Sequence, residues 1–216
     1  MIAKHSKSLM GIIGLLMAFS VLTGVEAAWI MGKAKVAQYL LAASWKDSLE
    51  QGHTKKPWAW ADVQTIAKIS IPAARKTLIV LNDASGEAMA FGPGLVAGSP
   101  EHAMSSTLAI GGHRDTHMRF LEHLPLDSII SLDTIEHRNL HYRLLDKQIV
   151  DTRKQTLAIS QQLPGLVLIT CYPFNAAQTG GPLRLVARAI LTNPTIDEQD
   201  VIFQSKPEDK SAGQWL

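Results

Sequence analysis

Cysteine is almost missing from this 216-residue chain: Cys171 stands alone, so no internal disulfide can form, and the thiol is there either for packing or for reactivity. Also missing is any excess of one charge. Lys and Arg total 21 against 19 Asp and Glu, with no basic stripe interleaved with aromatics, which excludes a surface built to hold a phosphate backbone and hence nucleic acid as a partner. There is no internal repeat, and few amphipathic helices lie between the short strand-like runs described below.

Charge is wholly absent between Lys7 and Glu26, and Leu9 to Val25 reads LMGIIGLLMAFSVLTGV, at the short end of what spans a bilayer. The chain is therefore expected to meet a membrane. Met1, Lys4 and Lys7 with Val25-Glu26-Ala27 also fit a signal peptide, but the apolar pattern runs on past Trp29 to Trp45, which favours an uncleaved anchor over residues 1–45. Lys4 and Lys7 favour a cytoplasmic N-terminus, against which Lys33 and Lys35 weigh, and the rest of the chain is expected on the exported side. Residues 46–57 (KDSLEQGHTKKP) lack apolar periodicity and read as a linker. A folded domain is expected over 58–204, followed by a polar tail at 205–216.

Within that domain short strand-like runs dominate: Ile66 to Ile71, Thr77 to Leu81, Thr107 to Ile110, Ser128 to Leu132, His141 to Leu145, Gln148 to Val150, Val167 to Thr170 and Leu185 to Leu191. A tight turn at Asp146-Lys147 is expected between two of them. Some eight strands at short spacing predict a mainly β domain, a closed barrel or a sandwich.

The chemistry gathers around Cys171. If the run ending there and the run beginning at Arg184 are consecutive antiparallel strands, the loop between them puts thiol and guanidinium side by side at one rim. Gly180-Gly181-Pro182 suits such a loop. His113 follows a strand and two glycines. A thiol near neutral pH needs a partner that takes its proton, and the resulting imidazolium can protonate a leaving amine, so His113 serves both halves of acyl transfer. Arg184 stays protonated and suits a developing oxyanion.

The order His, then Leu-x-Thr-Cys, then Arg at the start of the next strand resembles the sortase family of cysteine transpeptidases. Gly112-His113-Arg114-Asp115-Thr116-His117, Thr170-Cys171-Tyr172-Pro173-Phe174 and Gly180-Gly181-Pro182-Leu183-Arg184, with Lys56-Pro57-Trp58-Ala59-Trp60-Ala61, resemble most the branch found in Gram-negative bacteria. The resemblance implies an eight-stranded sortase-type β-barrel with short helices behind an N-terminal transmembrane helix, and a catalytic triad of His113, Cys171 and Arg184. It implies a thioester on Cys171 and transfer of a cleaved exported protein, bearing a C-terminal signal of the Leu-Pro-x-Thr-Gly kind, to an amine acceptor. No cofactor or metal is expected. The implied location is the inner membrane, single-pass, with the catalytic domain on the periplasmic side. Where the family stretch often has Thr, Val167 stands here, which keeps a β-branched side chain in the strand and loses one hydroxyl.

Blander readings apply to several neighbours. His113 and His117, and His137 and His141, are four apart, but that spacing holds a metal only on a helix, and neither pair clearly has one. Asp115 is expected to cap a short helical turn over Thr116 to Leu124 rather than orient His113. Trp58 and Trp60 are read as packing residues. Two other functions compete: a Cys-His hydrolase on the same barrel, and a membrane-anchored scaffold without chemistry, for which Cys171 would be buried and His113 and Arg184 would lie on separate faces.

Overall fold

The computed structural model describes residues 2–136, 139–154, 156–157, 159, 163–176 and 180–192. The expected polar tail at 205–216 and His137 lie outside the described residues. A single long helix, α1 (Ile2–Gln51), opens the chain, and its 50 residues extend about 75 Å. It contains no proline, and it ends where Gly52 takes a left-handed φ of 70°, a conformation that glycine adopts without a Cβ penalty. Ile13, Leu15, Leu16, Met17, Phe19, Val21 and Val25 are exposed along it. Among the described residues, no helix is long and apolar enough to cross a membrane.

The last turns of α1 are part of the folded domain. Leu41 is fully buried with Ala61, Val63, Leu81 and Ala88, and Trp45 is buried too. Ser44 and Ser48 are buried polar groups and are satisfied: Ser44 donates to the Lys55 carbonyl at 2.8 Å, Ser48 Oγ accepts the Lys55 N–H at 2.9 Å, and both hydroxyls approach Thr65 Oγ1. The stretch expected to be a linker from Lys46 therefore starts as helix. Its polarity is that of a helix with one solvated side, while Ser48 anchors the other.

Eight strands follow: β1 (Thr65–Ile71), β2 (Lys76–Leu81), β3 (Gly94–Ala97), β4 (Thr107–Gly111), β5 (Ile129–Thr134), β6 (Leu140–Asp151), β7 (Gly165–Cys171) and β8 (Leu183–Leu191). They close into a barrel in the order β1-β2-β3-β4-β7-β8-β6-β5. This is the expected mainly β, eight-stranded barrel with short helices, and two details differ from the sequence reading. The expected turn at Asp146-Lys147 does not exist. β6 runs straight through it with a bulge between Leu144 and Asp146, because both charges find partners across the sheet and beneath it: Arg188 Nε donates to Asp146 at 2.9 Å, and Lys147 Nζ donates to the carbonyls of Leu124 (2.9 Å) and Leu121 (3.2 Å). The eighth strand is β3 instead, whose four residues include a glycine and carry no readable alternation.

Gly94 has a steric reason. A Cβ there would stand 1.9 Å from the Asp83 carbonyl oxygen, so the β2–β3 connection passes over this position only if it is glycine. The interior is filled by residues such as Ile69, Ile71, Leu108, Ile110, Ile130, Leu132, Leu144, Leu166 and Leu168, and by Tyr142, whose hydroxyl donates to the Ala103 carbonyl at 2.9 Å. Burial of that phenol raises its pKa well above the ordinary tyrosine range. β7 lies between β4 and β8 and is buried on both faces at most positions, which explains why it reads as an unbroken apolar run.

Candidate active site

Cys171 is the last residue of β7 and Arg184 the second of β8, and the antiparallel register pairs them directly. The Tyr172 N–H donates to the Leu183 carbonyl at 3.0 Å and closes the pair one step further on. Both residues are half-buried, so neither is sealed in the core. Arg184 Nη1 donates to the carbonyls of Gly181 (2.6 Å) and Leu183 (2.9 Å), which fixes the guanidinium against its own loop. Its Nε and Nη2 make no hydrogen bond among the described residues. Gly180, at a left-handed φ of 84°, supplies the bend that brings this loop back to β8.

His113 reaches the same place through a parallel pair. β4 lies beside β7 with Gly111 opposite Ile169, and the Gly112 N–H continues the ladder to the Ile169 carbonyl at 3.0 Å. Gly112 is thus tied to the end of the β7 ladder, and His113, the next residue, leaves the end of β4 at the rim where β7 ends in Cys171. The His113 side chain is exposed. Gly112 leaves the room this needs: a Cβ would meet Met118 Cγ at 2.8 Å, and fully buried Met118 folds back over the loop with its N–H on the His113 carbonyl. The backbone thus pairs Cys171 with Arg184 and leads into His113 from the neighbouring end of β4.

Thr170 and Arg114 are the site's structural supports, and the sequence reading gave neither a role. Thr170 is buried and its hydroxyl donates to the Gly112 carbonyl at 2.8 Å, stitching the residue before Cys171 to the residue before His113. Arg114 is buried as well. Its Nε and Nη2 pair with the two Asp115 oxygens, each at 3.1 Å, while Nη1 reaches the Pro173 carbonyl at 2.6 Å and Nη2 the Ala176 carbonyl at 3.1 Å. The expected helix-cap role for Asp115 is thereby corrected. The short helical turn is a 3-10 segment at Arg119–Glu122 without a side-chain cap, and the Asp115 carboxylate is engaged by Arg114, whose planar donor fork matches it better than a lone N–H does. Those hydrogen bonds hold the Asp115 carboxyl below the usual carboxylate range and push Arg114 up. His117 is pushed down, first by burial and then by the nearby His113.

Among the described residues, no group of three or more His, Cys, Asp or Glu side chains is placed to hold a metal ion. Trp58 packs edge-on against Phe91 at 5.3 Å, as expected of a packing residue, but Trp60 is 82% exposed. Both border a shallow cleft of about 380 Å³ with Asp62, Asp83 and Glu87.

The family model of the sortase domain matches residues 69–192, more than half of the chain and all of the strands that carry this site. The chain belongs to the sortase family. As a sortase it is a cysteine transpeptidase. Solved sortases share the barrel. A sortase D5 transpeptidase from Clostridium perfringens aligns with a TM-score of 0.58 at 15% identity, over 74% of this chain and 99% of its own. Sortase A from Corynebacterium diphtheriae aligns at 0.50 and 23% identity over 71% of each chain. Clostridium perfringens sortase C, solved with the C-terminal cell wall sorting motif, aligns at 0.52 and 16% identity over 76% of this chain and 91% of its own. At these identities the likeness is one of fold. Curated proteins give no match to this sortase.

Proposed function

We propose that this sortase is tethered by α1 to the inner membrane of a Gram-negative cell, with its barrel on the periplasmic side. There it cuts a C-terminal Leu-Pro-x-Thr-Gly-like signal on an exported protein and passes the new carboxyl end to an amine. The observation that supports the reading is the register that pairs Cys171 with Arg184, with β4 beside β7 leading into His113 at the same rim. The exposed apolar side chains of α1 support the tether, and the motifs around His113 and Cys171 support the branch. The sorting motif named for the Clostridium perfringens sortase C complex supports the substrate class.

In this mechanism the Cys171 thiolate attacks the scissile carbonyl, and the negative charge developing on its oxygen is met by the free edge of Arg184. Loss of such a donor costs about 3 kcal/mol in acyl-transfer enzymes. The tetrahedral adduct collapses as His113 gives its proton to the departing amine, leaving a thioester on Cys171. The acceptor amine then attacks the thioester, His113 takes the amine's proton, an amide forms and the thiolate leaves. The chemistry is symmetrical about the thioester, so one imidazole suffices.

The test is to incubate the full chain in detergent with a library of Leu-Pro-x-Thr-Gly-like peptides and an added amine, and to read intact masses. The expected result is a thioester adduct and an amine-linked product, both absent from Cys171→Ala. An adduct yielding only free acid would replace transferase by hydrolase, and no adduct together with a Cys171 inert to alkylation would favour the scaffold.

A further inference from the structure

The two segments that carry His113 and Cys171 are joined on both sides of the reacting pair. Before it, Thr170 donates to the Gly112 carbonyl. After it, Arg114, the residue following His113, donates to the Pro173 carbonyl, two residues beyond Cys171, and to that of Ala176 further along the same loop. Among the described residues, the loop that leaves Cys171 is held otherwise by Phe174, which is buried in the core with Tyr172 packed against it, and by two backbone bonds, Tyr172 to Leu183 and Ala176 to Pro173. Among the described residues, Arg114 is the only charged group buried at this junction, at 6% exposure, and four hydrogen bonds fix its plane. A buried cation persists only where its donors are met, and here two carbonyls of the nucleophile's loop and one carboxylate meet them. Asp115 is itself largely solvent-facing, with its side chain 54% exposed, so it serves to orient the guanidinium and balance its charge, and it adds little to the core.

We propose that Arg114 is a positioning residue for the transpeptidation: through Pro173 and Ala176 it holds the Cys171 loop at a set distance from His113, with Asp115 setting the plane of its guanidinium. This rests on the assignment of His113 and Cys171 as the reacting pair. Arg114 has no role in binding substrate or moving a proton. Its effect is on the fraction of time the thiol and imidazole are aligned, so kcat is the quantity it governs, and a displacement of about 1 Å at such a pair is worth on the order of 100-fold. Lysine cannot replace it, because an ammonium has no planar fork to bridge a carboxylate and two carbonyls at once.

The test compares wild type, Arg114→Ala, Arg114→Lys and Asp115→Asn in the full chain in detergent, with the peptide and amine that wild type turns over. Arg114→Ala is expected to lose on the order of 100-fold in kcat with KM little changed, and to regain part of it when methylguanidinium is added. Arg114→Lys is expected to fall nearly as far, and Asp115→Asn several-fold. A folded Arg114→Lys that keeps wild-type kcat overturns the proposal, as does a loss that appears in KM instead. If Arg114 variants fail to fold, Asp115→Asn decides, and an unchanged kcat in it refutes the positioning role. A substrate-free arm separates this from failure of the transfer reading. Alkylation of Cys171 by iodoacetamide is measured for His113→Ala, Arg114→Ala and the double variant. The expected result is coupling, with His113→Ala having a smaller effect once Arg114 is gone, and strictly additive effects refute the proposal even if no transfer substrate is found.

Discussion

Replacing Thr170 by Val removes one hydroxyl from the interior and keeps the β-branched shape that a strand prefers. What is lost is the 2.8 Å hydrogen bond to the Gly112 carbonyl at a residue that is 2% exposed, so water cannot substitute for the donor without opening the β4–β7 junction. Leaving a buried carbonyl without this donor costs about 1–3 kcal/mol. For a domain of this size each kcal/mol lowers Tm by about 2–4 °C, so the midpoint is expected to fall by roughly 2–12 °C. The catalytic consequence is separate. The hydroxyl lies between the segments that end in His113 and Cys171, and its loss lets those ends shift by fractions of an ångström. A drop in kcat of roughly tenfold is expected, with KM unchanged. The assays are thermal unfolding by circular dichroism and steady-state transfer kinetics. A Thr170→Val protein that melts within about 1 °C of wild type would show that the carbonyl finds another donor, and unchanged kcat as well would refute the stitching role.

Other perturbations have equally direct outcomes. Gly94→Ala puts a carbon 1.9 Å from the Asp83 carbonyl oxygen, and the forced backbone shift is expected to cost at least about 1–3 kcal/mol, read as a lower denaturation midpoint. Lys147→Met strips the donor from the Leu121 and Leu124 carbonyls beneath β6, a loss of about 1.5–3 kcal/mol in the same measurement, with activity at permissive temperature retained. Burial first and then the nearby His113 push the His117 pKa down, so its folded pKa lies below the unfolded value of about 6.5. The unfolded chain then binds the extra proton. Stability is full above that unfolded pKa and declines as pH falls below it toward the folded value, and His117→Gln is expected to flatten the slope of Tm against pH in this window. An unchanged slope would refute it.

Much of the barrel was legible because β1, β4, β5, β7 and β8 bury enough of their side chains for the pattern to follow the packing. β3 was not, since its four residues owe their place to the Gly94 crossing and to pairing with β4, both of which depend on contacts distant in sequence. Asp146-Lys147 misled for a related reason. Two adjacent charges signal a turn only when nothing else satisfies them, and Arg188 and the carbonyls near Leu124 do so from forty-two and twenty-three residues away. At the site, Cys171 and Arg184 could be placed together from strand order alone, and His113 from its glycines. The roles of Thr170 and Arg114 could not, because Thr170 meets the Gly112 carbonyl and Arg114 reaches the Cys171 loop through the carbonyls of Pro173 and Ala176, and backbone acceptors leave no mark in a sequence.

The folded domain takes in the last turns of α1. A cut at Lys46, the sequence-derived boundary, removes Leu41, Ser44 and Trp45, all buried against the barrel, and leaves Thr65 Oγ1 and the Lys55 carbonyl without the Ser44 hydroxyl. Burying a Leu side chain alone is worth about 1.5–3 kcal/mol, and the unmet carbonyl adds to the loss. A chain starting at Lys46 is therefore expected to melt well below one starting at Gly32, which retains Gln38 on the Phe91 carbonyl and the whole docked segment. Equal Tm values for the two would mean that α1 docks on the barrel without stabilising it. A clear difference would make the end of the helix a structural element of the catalytic domain, so that any tether acting on α1 pulls directly on β1 and on the β2–β3 connection that leads into β4 and His113.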